Sequence, residues 1–272
     1  MKKIKLIIEY DGTGYSGWQR QKNALSVQQV VEEAWELVSG EKVCVQGAGR
    51  TDAGVHALGQ TAHFVTGCSI PPEKIAFALN TKLPRDIRIR KSEEAAERFH
   101  ATLDARIKHY RYVIYNDVHD NAVLNRYSAH VYYSLDDALM EKAAEDLLGK
   151  HDFAAFSSAG SDIKTTERII YKAEITRKDR YILIDIWGNG FLYNMVRIIA
   201  GTLADIGSGK LEPSVIKDAF IKKDRVLVGK TMPAKGLTMM EVLYDEDLKE
   251  PDGTGLLEEY QKFQIKPLTP NF

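Results

Sequence analysis

Only two cysteines occur among the 272 residues, Cys44 and Cys68, and they form no Cys-x-x-Cys pair. Two thiols cannot complete a zinc site by themselves, and both stand in or beside expected strands, where buried small hydrophobes are the simpler expectation. The 7 histidines are scattered without a His-Glu-x-x-His arrangement or comparable ligand spacing, so no metal is expected. Long apolar runs are missing too, and nothing approaches the length that crosses a bilayer. Met1-Lys2-Lys3-Ile4-Lys5 has the charged start of a signal peptide, yet the apolar segment stops at Glu9 and alternates as a strand does. A cytoplasmic protein is the expectation. Neither charge sign dominates, with 37 Lys and Arg against 38 Asp and Glu for a net charge of −1. That balance argues against a nucleic-acid partner, because phosphate contacts normally require excess cations.

The distribution of charge weakens this argument. Residues 241–260 hold eight acids (Glu241, Asp245, Glu246, Asp247, Glu250, Asp252, Glu258 and Glu259) and one base, Lys249. The remaining chain carries 36 basic against 30 acidic residues, or +6. Between Lys82 and Arg111 nine basic residues face five acids, interleaved with Phe99, Tyr110 and two histidines. A charge run alone is usually a solvated face, but aromatics between cations are what a base-stacking surface needs. A hydrophobic content of 44% and 28% charged residues are ordinary for a globular protein, with length enough for one large domain or two medium ones.

Hydrophobic spacing predicts mixed helix and strand. Ile4, Leu6 and Ile8 alternate as a half-buried strand over 4–9. Ser26 and Gln29 form a capping box, after which Val27, Val30, Val31, Ala34, Leu37 and Val38 recur at helical spacing until Gly40. Strands at 42–46 and 58–66, a short helix from Pro71-Pro72 to Asn80 and a strand at 87–90 complete the first half. The second half repeats the theme. A strand from Ile107 to Tyr115 is followed by a helix from Leu135 to Gly149, with Ala138, Leu139, Ala143, Leu147 and Leu148 on one side. Strands near 168–176 and 180–187 join through a tight turn at Lys178-Asp179. Then come an apolar helix from Phe191 to Ile206 carrying Arg197, a helix at 213–222 and a strand at 237–244. The tail from Glu246 contains Pro251-Asp252-Gly253-Thr254-Gly255 and Pro267 and is expected to be loosely ordered.

The stretch Gly49-Arg50-Thr51-Asp52-Ala53-Gly54-Val55-His56-Ala57 places a carboxylate between glycines that permit unusual backbone angles and a close approach. A loop presented by strands is where catalytic groups tend to sit, which makes Asp52 the first candidate for chemistry. Asp and Gly are also plain turn residues, and Arg50 could simply pair with Asp52. The nine-residue string resembles the signature of the TruA-type tRNA pseudouridine synthases. Four further segments resemble that family in order. They are Glu9 to Gln21 followed by Ser26-Val27-Gln28, then Lys108-His109-Tyr110-Arg111-Tyr112, then Gly190 to Arg197, and lastly Lys235-Gly236-Leu237 with Met239-Met240-Glu241-Val242. Ser26 stands where Thr is more usual, and Thr166 stands where a proline is expected. Residues after about 246 have no counterpart in the family core.

The resemblance implies an α+β fold of two ferredoxin-like (RRM-like) halves around a central antiparallel sheet, with the catalytic cleft between them. The expected division is 1–105, 106–245 and an acidic extension, 246–272. It implies isomerisation of uridine to pseudouridine at nucleotides 38–40 of the tRNA anticodon stem-loop, by a homodimer, with no cofactor. Asp52 is then the catalytic carboxylate, and Arg197 is expected to reach across the cleft and keep it ionised, since an unpaired cation in an apolar helix would be costly. Tyr110 is expected to stack on the flipped base, although Tyr112 is equally plausible on composition. Arg50 is the candidate to brace the gap left by the extruded nucleotide. His56 is a possible RNA contact or a structural histidine, and Lys82, Arg85, Lys108 and Arg111 are candidates for phosphate contacts. A catalytically silent RNA-binding module on the same scaffold is the alternative. A nucleoside hydrolase or glycosidase would need a second acid, for which Asp11 is the only other suggestive residue.

Overall fold

A computed structural model describes residues 1–158 and 164–248. The expectation of a loosely ordered tail falls mostly on 249–272, outside the described residues. The elements in chain order are β1 (Lys2–Tyr10), α1 (Val27–Ser39), β2 (Gln46–Gly47), β3 (His56–Thr66), α2 (Ile75–Asn80), β4 (Ile87–Ala95) and β5 (Ile107–Asn116). They continue with β6 (Ala129–Val131), α3 (Asp137–Ala144), β7 (Gly149–Asp152), β8 (Glu167–Lys178), β9 (Tyr181–Gly188), α4 (Met195–Gly207), α5 (Val215–Lys222) and β10 (Leu237–Leu243). The fold is α+β, one large sheet in the order β4-β1-β3-β10-β5-β9-β8-β7, with β2 beside β3 and β6 beside β5. The ladder is mainly antiparallel, with two corrections to a purely antiparallel sheet: β10 runs parallel to β3, and β6 runs parallel to β5. Among the described residues no helix is long and apolar enough to cross a membrane.

Alternation decides which sheet face meets the helices. Ile4, Leu6 and Ile8 on β1, and Tyr112 and Ile114 on β5, are fully buried in one large core. The opposite face of β5 and β9 carries His109, Arg111, Asp185 and Trp187 as cross-strand neighbours. On α1 the Ser26 hydroxyl accepts from the Gln29 N–H at 3.3 Å, and Gly40 closes the helix at φ 76°. Only that half of the expected capping box forms among the described contacts, because the Gln29 side chain donates to Glu33. Trp35 joins the buried face, whereas Leu37 is 72% exposed.

Several element boundaries differ from the periodicity. No strand spans 42–46: β2 is two residues long, Val45 is buried with its N–H on Glu32 Oε1, and Cys44 is exposed rather than buried. Cys68 is half-buried. The helix expected from Leu135 begins at Asp137 and ends at Ala144, before a single 3-10 turn. Its buried residues are Met140, Ala143 and Ala144, and Ala138 faces solvent. The apolar helix expected from Phe191 starts at Met195, because Asn194 adopts a left-handed conformation at φ 63°. Twelve of the 13 residues of α4 are buried, and the exception is Arg197.

Gly201 sets what crosses α4. A Cβ there would stand 1.9 Å from the Lys230 carbonyl oxygen, so only glycine lets the 228–233 segment lie directly on the helix. That segment then exchanges backbone contacts with Arg197: the Met232 N–H donates to the Arg197 carbonyl at 3.2 Å. Gly201→Ala is expected to destabilise the fold by about 1–3 kcal/mol through overpacking. The readout is a lower urea midpoint. Gly14→Ala, where a Cβ meets nothing within 4 Å, is expected to stay within about 0.5 kcal/mol.

Candidate active site

Asp52 sits in the loop between β2 and β3, and the N-terminal motif supports that loop from below. The Trp18 N–H donates to the Thr51 carbonyl at 3.1 Å, and the Gly54 N–H to the Tyr15 carbonyl at 3.2 Å. Tyr10 and Thr51 share a buried hydroxyl–hydroxyl bond of 2.8 Å. Gly17, at φ 81°, would carry a Cβ 2.3 Å from the Thr51 oxygen, so the two loops pack backbone to backbone. The segment 10–18 is therefore scaffolding for the Asp52 loop, a role that its motif did not disclose. Gly54 uses its conformational freedom at φ 78°, but Gly49 does not have positive φ. What Gly49 provides is room, since a Cβ there would lie 3.5 Å from both Lys108 Nζ and Met239 Cε.

Arg197 reaches this loop from α4. Its Nη1 donates to Asp52 Oδ2 at 3.3 Å and to Asn194 Oδ1 at 2.6 Å, while Nε donates to the Met232 carbonyl at 2.7 Å. The Asn194 amide donates in turn to Ser158 Oγ at 3.0 Å. The guanidinium is thus fixed on three sides before any ligand arrives. Burial pushes the Asp52 carboxyl above the usual carboxylate range, and Arg197 pulls it only partway back. The structure refines the sequence-based expectation here, because desolvation outweighs the ion pair.

Tyr110 lies on the core-facing side of β5, buried, with its ring edge-on to Phe191 at 5.1 Å between centroids. Burial first, then the charges of Tyr10 and Asp52, hold its phenol well above the usual range, so it is neutral near pH 7. Tyr112 is distinguished from it by geometry. Its hydroxyl donates to the Pro233 carbonyl at 2.7 Å, and the side chain is fully buried.

The remaining candidates divide. Arg50 is exposed, and among the described residues Asp52 pairs with Arg197 and not with Arg50. His56 is buried, with Nδ1 accepting from the Gly12 N–H at 3.1 Å and Nε2 2.9 Å from the Arg126 carbonyl. Burial lowers its pKa, so it is a neutral histidine already engaged by the backbone. Lys82 and Arg85 are exposed between α2 and β4. Lys108 is half-buried beside Gly49. Arg111 is not brought to this site: it alternates to the opposite face of β5, where Nε donates to both Asp185 oxygens at 2.9 and 3.1 Å. Thr166, where a proline was expected, donates its hydroxyl to Asp152 Oδ1 at 2.5 Å, a bond proline could not make. Asp11 accepts from Thr13 and Tyr127 as part of a turn.

A cavity of about 580 Å³ is lined by Lys5, Thr61, Phe99 and Glu241 and touches none of Asp52, Tyr110 or Arg197. Among the described residues no group of three or more His, Cys, Asp or Glu side chains could hold a metal ion. The Asp52 loop, α4 and β5 contribute one carboxylate, one guanidinium fixed by its neighbours and one neutral phenol.

Replacing Arg197 by Met removes the cation that pulls Asp52 downward, so the Asp52 carboxyl is expected to titrate at still higher pH. Asn194→Ala loosens the same guanidinium and is expected to move the titration in the same direction by less. Carbon-13 NMR of the labelled Asp52 carboxyl reads both shifts. An unmoved titration in Arg197→Met would show that the 3.3 Å contact carries no electrostatic weight.

The family model described as tRNA pseudouridine synthase matches residues 6–104 and 143–245. The tRNA pseudouridine synthase A of Ruminiclostridium cellulolyticum is 50% identical over 245 residues, which cover 90% of this chain and 100% of that protein. Proteins of the same name from Acetivibrio thermocellus and Caldicellulosiruptor bescii are each 48% identical over 244 residues, again covering 90% of this chain and 100% of theirs. With a match along most of its length and an acid–guanidinium pair at its centre, the chain belongs to the tRNA pseudouridine synthase family and is an isomerase that forms pseudouridine in tRNA.

Proposed function

We propose that Asp52 is the carboxylate of this isomerisation and that the substrate nucleotide enters the cleft between Asp52, Arg197 and Tyr110. The glycosidic bond between N1 and the ribose C1′ breaks, with Asp52 either bonding to C1′ or stabilising an oxocarbenium-like sugar. The freed uracil turns, C5 bonds to C1′, N1 gains a proton and C5 loses one. Atoms balance without any oxidant or hydrolytic water. Arg197 keeps the carboxylate oriented, and the flat face of Tyr110 supports the base.

The single observation that carries this reading is the Asp52–Arg197 contact at 3.3 Å, made by an acid that no second carboxylate perturbs among the described residues. A glycosidase would use a pair of acids. The target positions, 38–40 of the anticodon stem-loop, and a homodimer in the cytoplasm follow from likeness to the TruA-type enzymes. Arg50, exposed at the rim of the loop, suits a brace against neighbouring bases. The strand orders β4-β1-β3-β2 and β10-β5-β9-β8 favour two ferredoxin-like halves, 1–105 and 106–245, with a separate extension, 246–272.

Release of tritium from C5-labelled uridine in tRNA tests the assignment. Asp52→Asn and Asp52→Ala are expected to lower release by about three orders of magnitude or more. Appearance of free uracil would identify a hydrolase instead. Because Asp52 must be ionised and its pKa is raised, turnover is expected to fall with acid at a higher pH than an ordinary carboxylate would give.

Tyr110 is tested by comparing two replacements. Tyr110→Phe is expected to retain RNA binding, whereas Tyr110→Ala loses about 1–3 kcal/mol of stacking, read as a raised Kd. Equal binding by both would end the stacking role.

A further inference from the structure

Two cations on the face of the sheet that carries Tyr110 make no ion pair with an acid among the described residues. Lys108 lies two residues before Tyr110 on β5 and so faces the same side. Its ladder neighbours, Gly188 on β9 and Val242 on β10, are uncharged. The row continues from Gly188 to Ile170 on β8, and Arg168 stands two residues further along that strand on the same face as Ile170. Among the described residues Arg168 Nη1 donates to main-chain carbonyls alone, of Thr165 at 3.0 Å and Glu167 at 2.6 Å.

The charged groups around the pair point elsewhere. Glu167 pairs with Lys150 at 3.1 Å, Asp185 and Glu241 lie with His109 on the opposite face, and Asp52 is engaged by Arg197. Among the described residues no carboxylate perturbs Lys108: burial and then the Arg168 charge push its ammonium down to about 8. Burial alone lowers Arg168. Two like charges brought together in a partly desolvated place are unfavourable unless an anion joins them.

Glycines stand beside both cations. A Cβ at Gly49 would stand 3.5 Å from Lys108 Nζ, one at Gly190 3.6 Å from Arg168 Nε, and one at Gly188 3.1 Å from Phe191 Cζ. The Phe191 ring in turn packs on Tyr110. A nucleotide with its base at Tyr110 and its C1′ at Asp52 carries its phosphate one ribose away.

We propose that Lys108 and Arg168 form a phosphate subsite that holds a backbone phosphodiester adjoining the target nucleotide. The proposal rests on the reading of Asp52 given above and adds Arg168, which was not among the candidate phosphate contacts. Its expected role is to fix the ribose against Asp52, by two charge-assisted contacts.

Binding is measured by fluorescence anisotropy in the full-length Asp52→Asn chain, with an anticodon stem-loop RNA over a range of KCl. Lys108→Met and Arg168→Met are each expected to weaken binding about tenfold at low salt and to flatten the logarithmic salt slope by about 0.7–0.9. Lys150→Met, an exposed lysine of β7 beside Ile169 on the opposite face of the sheet, is expected to leave Kd unchanged. An RNA with a single methylphosphonate at the phosphate before or after the target uridine should bind more weakly and, at one of these two places, become insensitive to both substitutions. Lys108→Arg should restore the slope, which separates lost charge from lost folding. An unchanged slope in both Met variants, or equal sensitivity on native and methylphosphonate RNA, overturns the subsite. Undiminished tritium release by Asp52→Asn would instead overturn the catalytic assignment while leaving these slopes interpretable.

Discussion

The site depends on bringing together an acid and a guanidinium that are 145 residues apart in the chain. β10 makes that meeting possible, because the last strand inserts between β3 and β5 and stitches the two parts of the sheet. The stitch is narrow on one side, with only Thr238↔His56 and Met239↔Ala57 paired to β3. On the other side Met239 pairs with Tyr110. Met239 thus touches the row of Ala57, the row of Tyr110 and, through Cε, the space above Gly49. A one-residue slip in β10 would turn its side chains to the opposite face and remove that support. Register in this short strand therefore bears on how the Asp52 loop is placed against Tyr110.

Within that frame the ion pair is not arranged for maximal stability. Arg197 is already bound to Met232 and Asn194, so it meets Asp52 with a single nitrogen at 3.3 Å rather than with its full fork. Both partners are partly exposed, 17% for Arg197 and 26% for Asp52, a regime in which a pair contributes little to folding. Desolvation dominates the Asp52 titration, which leaves the carboxylate less firmly ionised than a free one. An acid held in that state, with one oxygen uncommitted, is poorly used as a structural clamp. In the proposed reaction such an acid would gain contacts as positive charge develops at a sugar carbon.

Much of this was legible in the sequence, and the failures have physical causes. Alternation found β1, β3, β5, β8 and β9 because each has one helix-facing side, and periodicity found α1 and α4. It misjudged the start of α4, since a left-handed Asn194 looks like any other polar residue before an apolar run. It read Val43-Cys44-Val45 as a strand, although those residues pack one side chain inward and send one N–H to a glutamate on α1. The Asp52, Arg197 and Tyr110 candidates came from motif wording, and their proximity needed coordinates. Alternation along β5 could have separated Lys108 and Tyr110 from Arg111, since odd and even residues face opposite sides. The supporting function of residues 10–18 left no such trace, because backbone-to-backbone packing at Gly17 has no side-chain signature.

Sidedness also resolves the conflict between a net charge of −1 and an RNA substrate. On the face away from the cleft, charges are paired at short range: Asp185 with His109 and Arg111, Asp245 with Arg106, and Lys5 with both Glu93 and Glu246. On the cleft face Arg50, Lys108 and Arg168 make no ion pair with a described carboxylate. At physiological salt, charges farther than about 8 Å apart are largely screened from one another. Acids across the thickness of the sheet, neutralised by their own partners, contribute little field where the RNA would lie. The quantity a phosphate senses is the local balance, and among the described residues Arg50, Lys108 and Arg168 tilt it positive although the chain as a whole is not.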